Sequence, residues 1–373
     1  MMDFTSSLYL AMKHPGTTLQ RWEQLTTGIP AVLGEPALNK QVAEQVARLQ
    51  GLECGLTAPS TLHLYWDLYH VLSRQPVIVF IDEFIYPVSR YGIEQLLVKK
   101  IPVFYFRHQD AKHLQQLMQR YCKGITKPIV LSDGWCPVCG RTAPIEHYAA
   151  LLNSMNGHLF IDDTQAFGIL GAGASTIFPY GIDGGGILRW KQLTAGQTRC
   201  ITTIVSLAKA WGVPMAVMGS TRNHIRQFEQ ASAIRTYSSP VSNAHIQAAA
   251  NALHWNLTKG NQLRGRLWDN VKLFRRRMAW VDLNVSNSCF PVQHLHHPDA
   301  SITTAIYHRL KQRDIKAVLS ATHTGTHPLL MLIFRSDHTR EQICHVVQEL
   351  ARACRQQPNV KGILSPDNQT FLL

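Results

Sequence analysis

Short apolar runs alternate with amphipathic segments along much of the chain. Each run has the length of a buried strand and ends at a polar residue or a glycine, which is typical of parallel strands covered by helices. The runs predict strands at residues 77–81, 101–106, 128–131, 158–161, 203–205 and 215–218. The last of these strands is predicted to pair back on the sheet.

The segments between the runs repeat apolar residues at helical spacing. They predict helices at residues 39–49, 62–72, 110–121, 302–313 and 341–355, and one long helix from residue 243 to about residue 279. Two more strands are predicted at residues 291–294 and 331–334. The alternation between residues 55 and 219 indicates an α/β fold with a mostly parallel, helix-covered sheet.

Two of the runs end in residues that suggest chemistry. Asp162 follows the run at residues 158–161, and Ser206 follows the run at residues 203–205. Lys209 comes three residues after Ser206, among small residues and a glycine. A lysine in such a pocket can lose its charge by desolvation and act as an amine nucleophile. The acid and the lysine fit a pyridoxal phosphate site, in which the acid keeps the pyridine nitrogen protonated and the lysine forms a Schiff base. Each residue alone also suits an ordinary strand end or surface position.

The segments around these residues also match a known pattern, an apolar strand with Asp-x-x-His and Gly-x-x-Gly, then Thr-x-x-Lys-x-x-Gly. In the same order and at the same separation, the chain has Asp162-Asp163-Thr164-Gln165, Gly168-Ile169-Leu170-Gly171 and Ser206-Leu207-Ala208-Lys209-Ala210-Trp211-Gly212. It resembles the fold-type I pyridoxal-phosphate enzymes of the class I/II aminotransferase type, and among them the α-oxoamine synthases of the 8-amino-7-oxononanoate synthase type.

The resemblance implies a fold and a cofactor, pyridoxal 5′-phosphate. The fold would have a large domain with a mostly parallel, seven-stranded sheet and a smaller C-terminal α+β domain. Lys209 would form the Schiff base and act as general acid and base, and Asp162 would hold the pyridine nitrogen. Tyr86, four residues after the strand-end Asp82, would stack on the pyridine ring where the related enzymes have histidine. A tyrosine packed at a strand end is the plainer alternative.

The resemblance also implies residues that bind the cofactor phosphate. Ser60 and Thr61 precede a predicted helix, whose N-terminus is suited to an anion, and Ser206 would add a third contact. Ser60 is also predicted to cap this helix with its side chain. Ser238 and Ser239 resemble a segment that reaches the phosphate of the partner subunit, which implies a homodimer with shared active sites.

Three positions depart from the family pattern. Gln165 replaces the histidine that binds the cofactor phenolate oxygen, and it can donate a hydrogen bond there without carrying charge. Pro137 replaces a serine. The arginine that holds the amino-acid carboxylate in the related enzymes is absent from residues 329–334, and Arg335 comes after them. A bidentate carboxylate clamp is hard to replace, so these losses indicate a substrate that is held differently.

Three functions remain open at this stage. The first is decarboxylative condensation of an amino acid with an acyl thioester, carried by coenzyme A or a carrier protein. The second is transamination or another reaction at the α-carbon on the same fold. The third is a non-catalytic relative that acts as a binding protein, which the presence of both Lys209 and Asp162 disfavours.

Composition narrows these choices. The 373 residues are 45% hydrophobic and 16% charged, which describes a compact protein with a large domain and a smaller one. The formal charge is +13, yet only Arg275-Arg276-Arg277 forms a tight basic run, and no nucleic-acid motif accompanies it. A solvated helix face, or a basic entrance that attracts an anionic cofactor or substrate, accounts for the charge without nucleic acid.

Targeting signals and metal motifs are also missing from the sequence. No apolar run approaches a membrane span, and the N-terminus lacks the features of a signal peptide. The eight cysteines are scattered apart from Cys136 and Cys139, which predicts a reducing cytoplasm. These two could form a redox couple, but no second pair supports zinc. His294 and its histidine neighbours at residues 296 and 297 are predicted to be surface residues, not metal ligands.

The domain organisation follows from these assignments. Residues 1–50 are predicted to be an N-terminal segment that packs with the small domain. Residues 51–240 form the large cofactor-binding domain, and residues 241–373 form the long connecting helix and the C-terminal small domain.

Overall fold

The computed structural model describes residues 1–124, 126–323 and 325–355. Its helices are α1 Ala37–Leu49, α2 Thr61–Leu72, α3 Glu94–Val98, α4 Ala111–Tyr121, α5 Ile145–Asn153, α6 Ile187–Trp190, α7 Ala195–Thr198, α8 Arg222–Ala231, α9 Ala233–Tyr237, α10 Asn243–Met278, α11 Ala300–Gln312 and α12 Arg340–Arg355. Its strands are β1 Met2–Asp3, β2 Cys54–Ala58, β3 Val77–Asp82, β4 Val103–Phe106, β5 Lys127–Asp133, β6 Trp135–Cys136, β7 Arg141–Thr142, β8 His158–Asp162, β9 Ile201–Ser206, β10 Ala216–Ser220, β11 Asn284–Val285, β12 Val292–His296, β13 Ile315–Lys316, β14 Val318–Ala321 and β15 Pro328–Ile333. The predicted helices and strands are all present, with boundaries that differ by up to three residues.

The chain divides into two compact units. The larger unit consists of Met12–Cys136 and Thr142–Asn261, and the smaller unit consists of Met1–Ala11, Pro137–Arg141 and the described part of Gln262–Leu373. Helix α10 contributes residues to both units. The domain boundaries expected at residues 50 and 240 stay a prediction.

The larger unit is built on a seven-stranded sheet with the strand order β2-β10-β9-β8-β5-β3-β4. Strands β9, β8, β5, β3 and β4 are parallel to one another, and β10 is antiparallel to both of its neighbours. This order confirms the mostly parallel sheet and the strand that pairs back. Because parallel strands end at the same edge of a sheet, the residues after β3, β5, β8 and β9 are brought together on one side.

Helix α2 covers one face of this sheet. Leu64, Leu68 and Leu72 recur one turn apart, so they share a face of the helix, and all three are buried. They belong to one apolar cluster with Leu56 of β2 and Met218 of β10. Burial of each leucine contributes about 1.5–3 kcal/mol relative to exposure, so this face fixes how α2 lies on the sheet.

The smaller unit contains a four-stranded antiparallel sheet with the order β11-β12-β15-β14. Strand β1 at the N-terminus pairs in parallel with β13, with Met2 opposite Ile315. Phe4 then places its ring 5.4 Å from that of Phe334 and 4.4 Å from that of His338. The first residues of the chain are therefore part of this unit's core.

One expectation for the smaller unit is wrong. His294 was predicted to lie at the surface, but it is 5% exposed, and one of its ring nitrogens contacts the carbonyl oxygen of Pro137. The residue belongs to β12, which pairs with β15 through His294 and Met331. Val292, Gln293, His294 and Leu295 are all buried, so both faces of this strand are covered and a polar residue on either face is removed from solvent.

Two findings concern the whole described chain. No helix in its described ranges is both long and apolar enough to cross a membrane. The eight cysteines all lie within those ranges, and none of them forms a disulfide.

The segment after β8 contains two glycines that the surrounding backbone requires. Gly168 has φ of +81°, and a Cβ atom there would lie 2.5 Å from the Cβ of Ala210, beside Lys209. At Gly171 an added Cβ would lie 1.8 Å from the carbonyl oxygen of Ile182. The Gly-x-x-Gly spacing therefore allows this segment to pack against two other backbone segments, one of which carries the lysine.

We expect Gly171→Ala to destabilise the protein by about 2–3 kcal/mol, because the new methyl group overlaps a carbonyl oxygen that belongs to the backbone. Denaturant unfolding of both forms measures the difference. Gly196→Ala is the matched control, because its nearest neighbour would be the Thr194 hydroxyl at 3.9 Å, and alanine favours the helix in which it lies. Equal stability of the Gly171 variant and the wild-type protein would contradict the packing argument.

Candidate active site

Two carboxylates lie side by side at the carboxyl edge of the large sheet. Asp133 ends β5, Asp162 ends β8, and the two residues are direct partners in the parallel pairing of these strands. Both are buried, with 6% and 7% of their surface exposed. Neighbouring strands are about 4.8 Å apart, so two negative charges here repel each other unless a proton or a cation intervenes.

The carboxylate of Asp162 is held by three donors. One oxygen accepts hydrogen bonds from the Tyr65 hydroxyl at 3.1 Å and the Ser89 hydroxyl at 3.4 Å, and the other accepts from the Thr164 backbone N–H at 3.0 Å. Tyr65 is 1% exposed, and the pKa of its phenol is raised, first by burial and then by the charge of Asp162. Its hydroxyl therefore remains a proton donor, and the orientation of Asp162 is fixed.

Asp133 faces the backbone of Tyr86. Both carboxylate oxygens accept from the Tyr86 N–H, at 3.0 and 3.2 Å. The pKa of Asp133 is raised well above its usual range, chiefly by burial and then by the charge of Asp162. Of the two acids, Asp133 thus holds a proton more readily than an exposed aspartate does.

The amine of Lys209 lies over the ring of Tyr86, with Nζ 5.1 Å from the ring centroid. Burial lowers the pKa of this lysine, and the negative charges of Asp162 and Asp133 oppose that shift. The structure therefore brings together the predicted residues Lys209, Asp162 and Tyr86. Tyr86 is 39% exposed, so one face of this group remains open to solvent.

The loop that carries Lys209 is joined to the strand-end segment by Thr164. The Thr164 hydroxyl accepts a hydrogen bond from the Ser206 backbone N–H at 3.0 Å, and the Ser206 hydroxyl accepts one from the Ala208 N–H at 3.3 Å. Thr164 itself donates its backbone N–H to Asp162. Asp162 and the lysine loop are thus two hydrogen bonds apart, and Gln165 follows as a partly buried residue.

Asp163, the second acid of the pair, has a different position. It is fully buried and accepts from the Ile187 N–H at the start of α6, at 3.0 and 3.2 Å. Burial raises its pKa well above the usual range. The carboxylate of Asp163 therefore binds a backbone N–H group, whereas that of Asp162 lies in the group around Lys209.

Helix α2 begins close to this group, because Tyr65 lies one turn after its first residue, Thr61. Ser60 is the residue that precedes the helix, as predicted, but the prediction of a side-chain cap is wrong. Its hydroxyl pairs with Nδ1 of His63 at 2.8 Å and makes no capping hydrogen bond. The N–H groups of the first turn are therefore available to an anion.

Ser238 and Ser239 border a small cleft, about 320 Å³ when its open mouth is included, that His63 and Pro59 also line. The Ser238 hydroxyl donates to the carbonyl oxygen of Ile234 at 2.8 Å. Asp67 of α2 accepts from the Ser232 hydroxyl and from the Ala233 N–H, and so fixes the start of α9. Within the larger unit, both predicted serines thus lie beside the first turn of α2. Whether they serve a partner's phosphate stays a prediction.

The side chains of this group fit pyridoxal phosphate. A lysine with a lowered pKa provides the amine, a tyrosine ring provides a stacking surface, and a buried carboxylate with fixed orientation can hold a protonated ring nitrogen. An uncapped first helical turn provides donors for a phosphate. Tyr65 and Ser89 were not identified from the sequence. Tyr65 lies among apolar helix residues, and Ser89 lies in the 3₁₀ helix Pro87–Arg90, so neither has a local signal.

Solved structures of pyridoxal-phosphate enzymes share this fold. A serine palmitoyltransferase from S. paucimobilis, with a bound PLP–myriocin aldimine, has a TM-score of 0.81 at 14% identity and covers 95% of this chain and 87% of its own. An 8-amino-7-oxononanoate synthase from Francisella tularensis has a TM-score of 0.71 at 19% identity, with 95% and 98% covered. Fold and site define a fold-type I, pyridoxal-phosphate-dependent transferase.

Sequence comparison identifies the family. The model of "Aminotransferase class I and II" matches residues 74–350, so the chain belongs to the aminotransferase class I and II family. A curated relative, the 8-amino-7-oxononanoate synthase of Thermosipho melanesiensis, is 22% identical over 300 residues, which is 80% of this chain and 72% of the relative. The chain is therefore similar to the α-oxoamine synthases within the family.

Asp133→Asn should stabilise the protein increasingly as the pH rises. Because the folded pKa of Asp133 is raised above its ordinary value of 3.8, the folded chain holds this proton where the unfolded chain has lost it, and stability falls as the pH rises above that value. Asparagine removes this penalty and can still accept from the Tyr86 N–H. Thermal unfolding at pH 4, 6 and 8 measures the growing difference in Tm.

Asp110→Asn is the control with the opposite sign. Its pKa is lowered, first by the hydrogen bond from the His113 N–H, so its carboxylate stabilises the fold above the unfolded pKa and loses this effect as the pH falls. We expect this variant to be less stable than wild type at pH 4, 6 and 8, and to approach it only as the pH falls below the ordinary pKa of 3.8. The prediction is contradicted if the difference in Tm between Asp133→Asn and the wild-type protein does not change with pH. In that case the Asp133 carboxyl group has the same pKa in the folded and unfolded chain.

Proposed function

We propose that the chain catalyses the decarboxylative condensation of an amino acid with an acyl thioester, releasing CO2 and the free thiol. The observation that carries this proposal is the position of the Lys209 amine, over the Tyr86 ring and within the field of Asp162 and Asp133. Bound pyridoxal phosphate supplies an electron sink for the bonds at the α-carbon of the amino acid.

Lys209 has two roles in this proposal. It is the attachment point of the cofactor, and once released its amine takes and returns the proton at the substrate α-carbon. Burial favours the neutral amine that a base requires. The nearby carboxylates keep its pKa from falling further, so that the same group can also donate.

Asp162 holds the ring nitrogen of the cofactor, and Tyr65 and Ser89 are positioning residues. Their hydroxyls bind one carboxylate oxygen at 3.1 and 3.4 Å, and thereby set the direction in which the carboxylate acts. Tyr86 stacks on the ring, and Asp133 holds its backbone in place. Gln165 replaces the histidine of the related enzymes and donates a neutral hydrogen bond to the phenolate oxygen.

The phosphate is bound at the start of α2. The first-turn N–H groups, with the side chains of Ser60 and Thr61, face the anion, and Ser206 contributes from the lysine loop. Ser238 and Ser239 reach the phosphate of a partner subunit. The support for these contacts is the uncapped first turn of α2 and the fold shared with pyridoxal-phosphate enzymes.

The substrate carboxylate must be bound without the usual arginine. Arg335 follows β15, and its guanidinium pairs with Asp337 at 2.9 Å and with Asp3 at 4.0 Å. These ion pairs support a structural role for Arg335 within the smaller unit. The formal charge of +13 favours an anionic acyl carrier, either coenzyme A or a carrier protein.

A homodimer and a cytoplasmic location complete the proposal. Val32, Leu33 and Tyr237 are 51%, 72% and 85% exposed, and the Val32 N–H bonds to the Arg235 carbonyl at the side of α9. An apolar patch of this kind suits a second copy of the chain, and Ser238 lies next to it in sequence. The cysteine thiols support a reducing compartment.

The cofactor experiment uses purified protein with added pyridoxal phosphate, followed by borohydride reduction and peptide mass spectrometry. We expect the cofactor on Lys209, with a visible absorption band that Lys209→Ala lacks, and a loss of turnover of roughly 10²- to 10⁴-fold in that variant. Lys191→Ala is the control, because Lys191 pairs with Glu146 at 3.2 Å. A wild-type protein that binds no cofactor even in excess would overturn the enzyme assignment in favour of a binding protein.

The same preparation separates condensation from transamination. Condensation predicts that CO2 and free thiol appear in equal amounts, and only when an amino acid and an acyl thioester are both present. Membership of the class I and II aminotransferase family makes amino transfer the second candidate. Formation of pyridoxamine phosphate with the amino acid alone would favour that reaction and contradict condensation.

The dimer is tested by sedimentation. We expect wild-type protein to sediment as a dimer and the double variant Leu33→Asp, Tyr237→Asp to dissociate at least about tenfold more readily, because two charges enter an apolar contact. Val98→Asp is the control, since Val98 is 79% exposed at the end of α3 and outside the patch. This face is not the dimer interface if the wild-type protein is monomeric, or if the wild-type protein, the double variant and Val98→Asp dissociate equally.

A further inference from the structure

A short hairpin after β5 carries both cysteines of the Cys-x-x-Cys pair. Its strands β6 and β7 pair with each other, and residues 137–140 form the turn between them. Cys136 is the last residue of β6, and Cys139 lies in the turn. The turn ends at Gly140, whose φ of +69° favours glycine. Two cysteines at this spacing are the usual half of a zinc site.

The turn is held in place by His294 of β12. Nε2 of His294 donates to the carbonyl oxygen of Pro137, because a carbonyl oxygen can only accept. A Cβ atom at Gly140 would lie 3.7 Å from Cε1 of the same ring, which is ordinary van der Waals contact. The turn therefore packs against β12 within the smaller unit, and the position of Cys139 is fixed by more than the hairpin alone.

His108 approaches Cys136 within the larger unit, from the segment between β4 and α4. A ring nitrogen of His108 and the Sγ atom of Cys136 lie within 4.8 Å of each other. Nδ1 of His108 lies 2.7 Å from Oδ1 of Asp82, which is 1% exposed. A carboxylate only accepts, so Nδ1 carries the proton, and the lone pair of the neutral ring is on Nε2. Histidines that bind metals almost always donate their other N–H in this way.

The orientation of the His108 ring is fixed by its surroundings. Asp82 accepts from the Phe84 N–H and from the Gln109 N–H, each at 3.0 Å, so its carboxylate cannot rotate freely. The backbone N–H of His108 donates to Oε1 of Glu83 at 3.0 Å. Backbone and ring of His108 are thus both held by the end of β3 and the residue after it. A ligand that is oriented in advance loses little conformational entropy when it binds a metal.

The smaller unit supplies a second histidine. His323 follows β14, and one of its ring nitrogens lies within 4.8 Å of the Sγ atom of Cys139. The sulfurs of Cys136 and Cys139 lie within the same distance of each other. A tetrahedral zinc ion separates its ligand atoms by about 3.3–3.8 Å, so side-chain movements of about 1 Å complete the geometry. Two sulfurs and two imidazole nitrogens are a standard ligand set of structural zinc.

We propose that this hairpin binds one Zn²⁺ through Cys136 and Cys139, with His108 and His323 as the other two ligands. Four protein ligands close the coordination shell, so the ion has a structural role. Two thiolates balance the charge of the ion. The sequence showed only the cysteine half of this set, because the histidines are distant along the chain. The site does not depend on the proposed reaction.

Within the larger unit the ion links two segments at the carboxyl edge of the sheet. Cys136 comes three residues after Asp133, the last residue of β5, and His108 comes two residues after Phe106, the last residue of β4. These strands lie on either side of β3. Zinc therefore ties the segments that follow β4 and β5 to each other, next to the strand end that carries Asp82. Because it binds the folded chain only, its removal lowers the stability of the protein.

Elemental analysis of the full chain, purified under reducing conditions with pyridoxal phosphate present, tests the proposal. We expect about one zinc per chain, and a loss of zinc affinity of roughly 100- to 1,000-fold in Cys139→Ser and in His323→Ala. Cys122→Ser is the control, because Cys122 is a half-buried cysteine at the end of α4. A wild-type protein that takes up no added zinc overturns the proposal, and so does a Cys136–Cys139 disulfide under these conditions, which would assign a redox couple.

Replacement of zinc by Co²⁺ identifies the ligands. Wild type and Asp82→Asn should both show a thiolate-to-cobalt absorption band, although Asp82→Asn binds roughly 10- to 100-fold more weakly, since it disturbs only the orientation of His108. Cys139→Ser should lose about half of the band at saturating Co²⁺, and a chelator should lower the Tm of wild type but not of this variant. Equal cobalt spectra for Cys139→Ser and Cys122→Ser would place the metal elsewhere and refute the site. Loss of the site leaves the test of cofactor binding at Lys209 unchanged.

Discussion

The repulsion between Asp133 and Asp162 is the constraint on which the candidate site depends. Parallel pairing of β5 and β8 places the two carboxylates on adjacent strand ends, away from water. The chain accommodates them in different ways. Within the described ranges, Asp162 receives hydrogen bonds from two hydroxyls and a backbone N–H, whereas Asp133 receives them only from a backbone N–H and has its pKa raised. Lys209 completes the group, because burial lowers the pKa of its amine and the two neighbouring aspartates oppose that shift.

The sheet could be predicted because its strands are local patterns. Four of them, predicted at residues 77–81, 128–131, 158–161 and 203–205, are mainly apolar and are each followed by a polar residue, so their length and their polar ends identify them. The same argument placed Asp162 at the edge of the sheet. Asp133, the partner of Asp162 across the sheet, was given no role from the sequence, because register is a property of two strands and not of one.

The parts that could not be predicted are contacts between distant residues. Tyr65 is separated from Asp162 by 97 positions, and nothing in the apolar pattern of α2 distinguishes its hydroxyl from a packed ring. Ser60 was correctly placed before α2. Its hydroxyl can bond either to a backbone N–H of the helix or to the His63 ring, and the sequence rules for helix caps predict only the bond to the backbone. The buried hydrogen bond of His158 could not be predicted either, because its partner Thr202 lies on another strand.

Helix α2 touches both edges of the sheet. Tyr65 holds Asp162 at one end, while Leu68, Val71 and Leu72 line a cavity beside the opposite edge, together with Lys127 at the start of β5 and His158 at the start of β8. The distance along the helix axis from Tyr65 to Leu72 is about 10 Å, at 1.5 Å per residue. Because its buried leucines fix how α2 lies on the sheet, one packed helix sets the position of the phenol at one edge and of the cavity wall at the other.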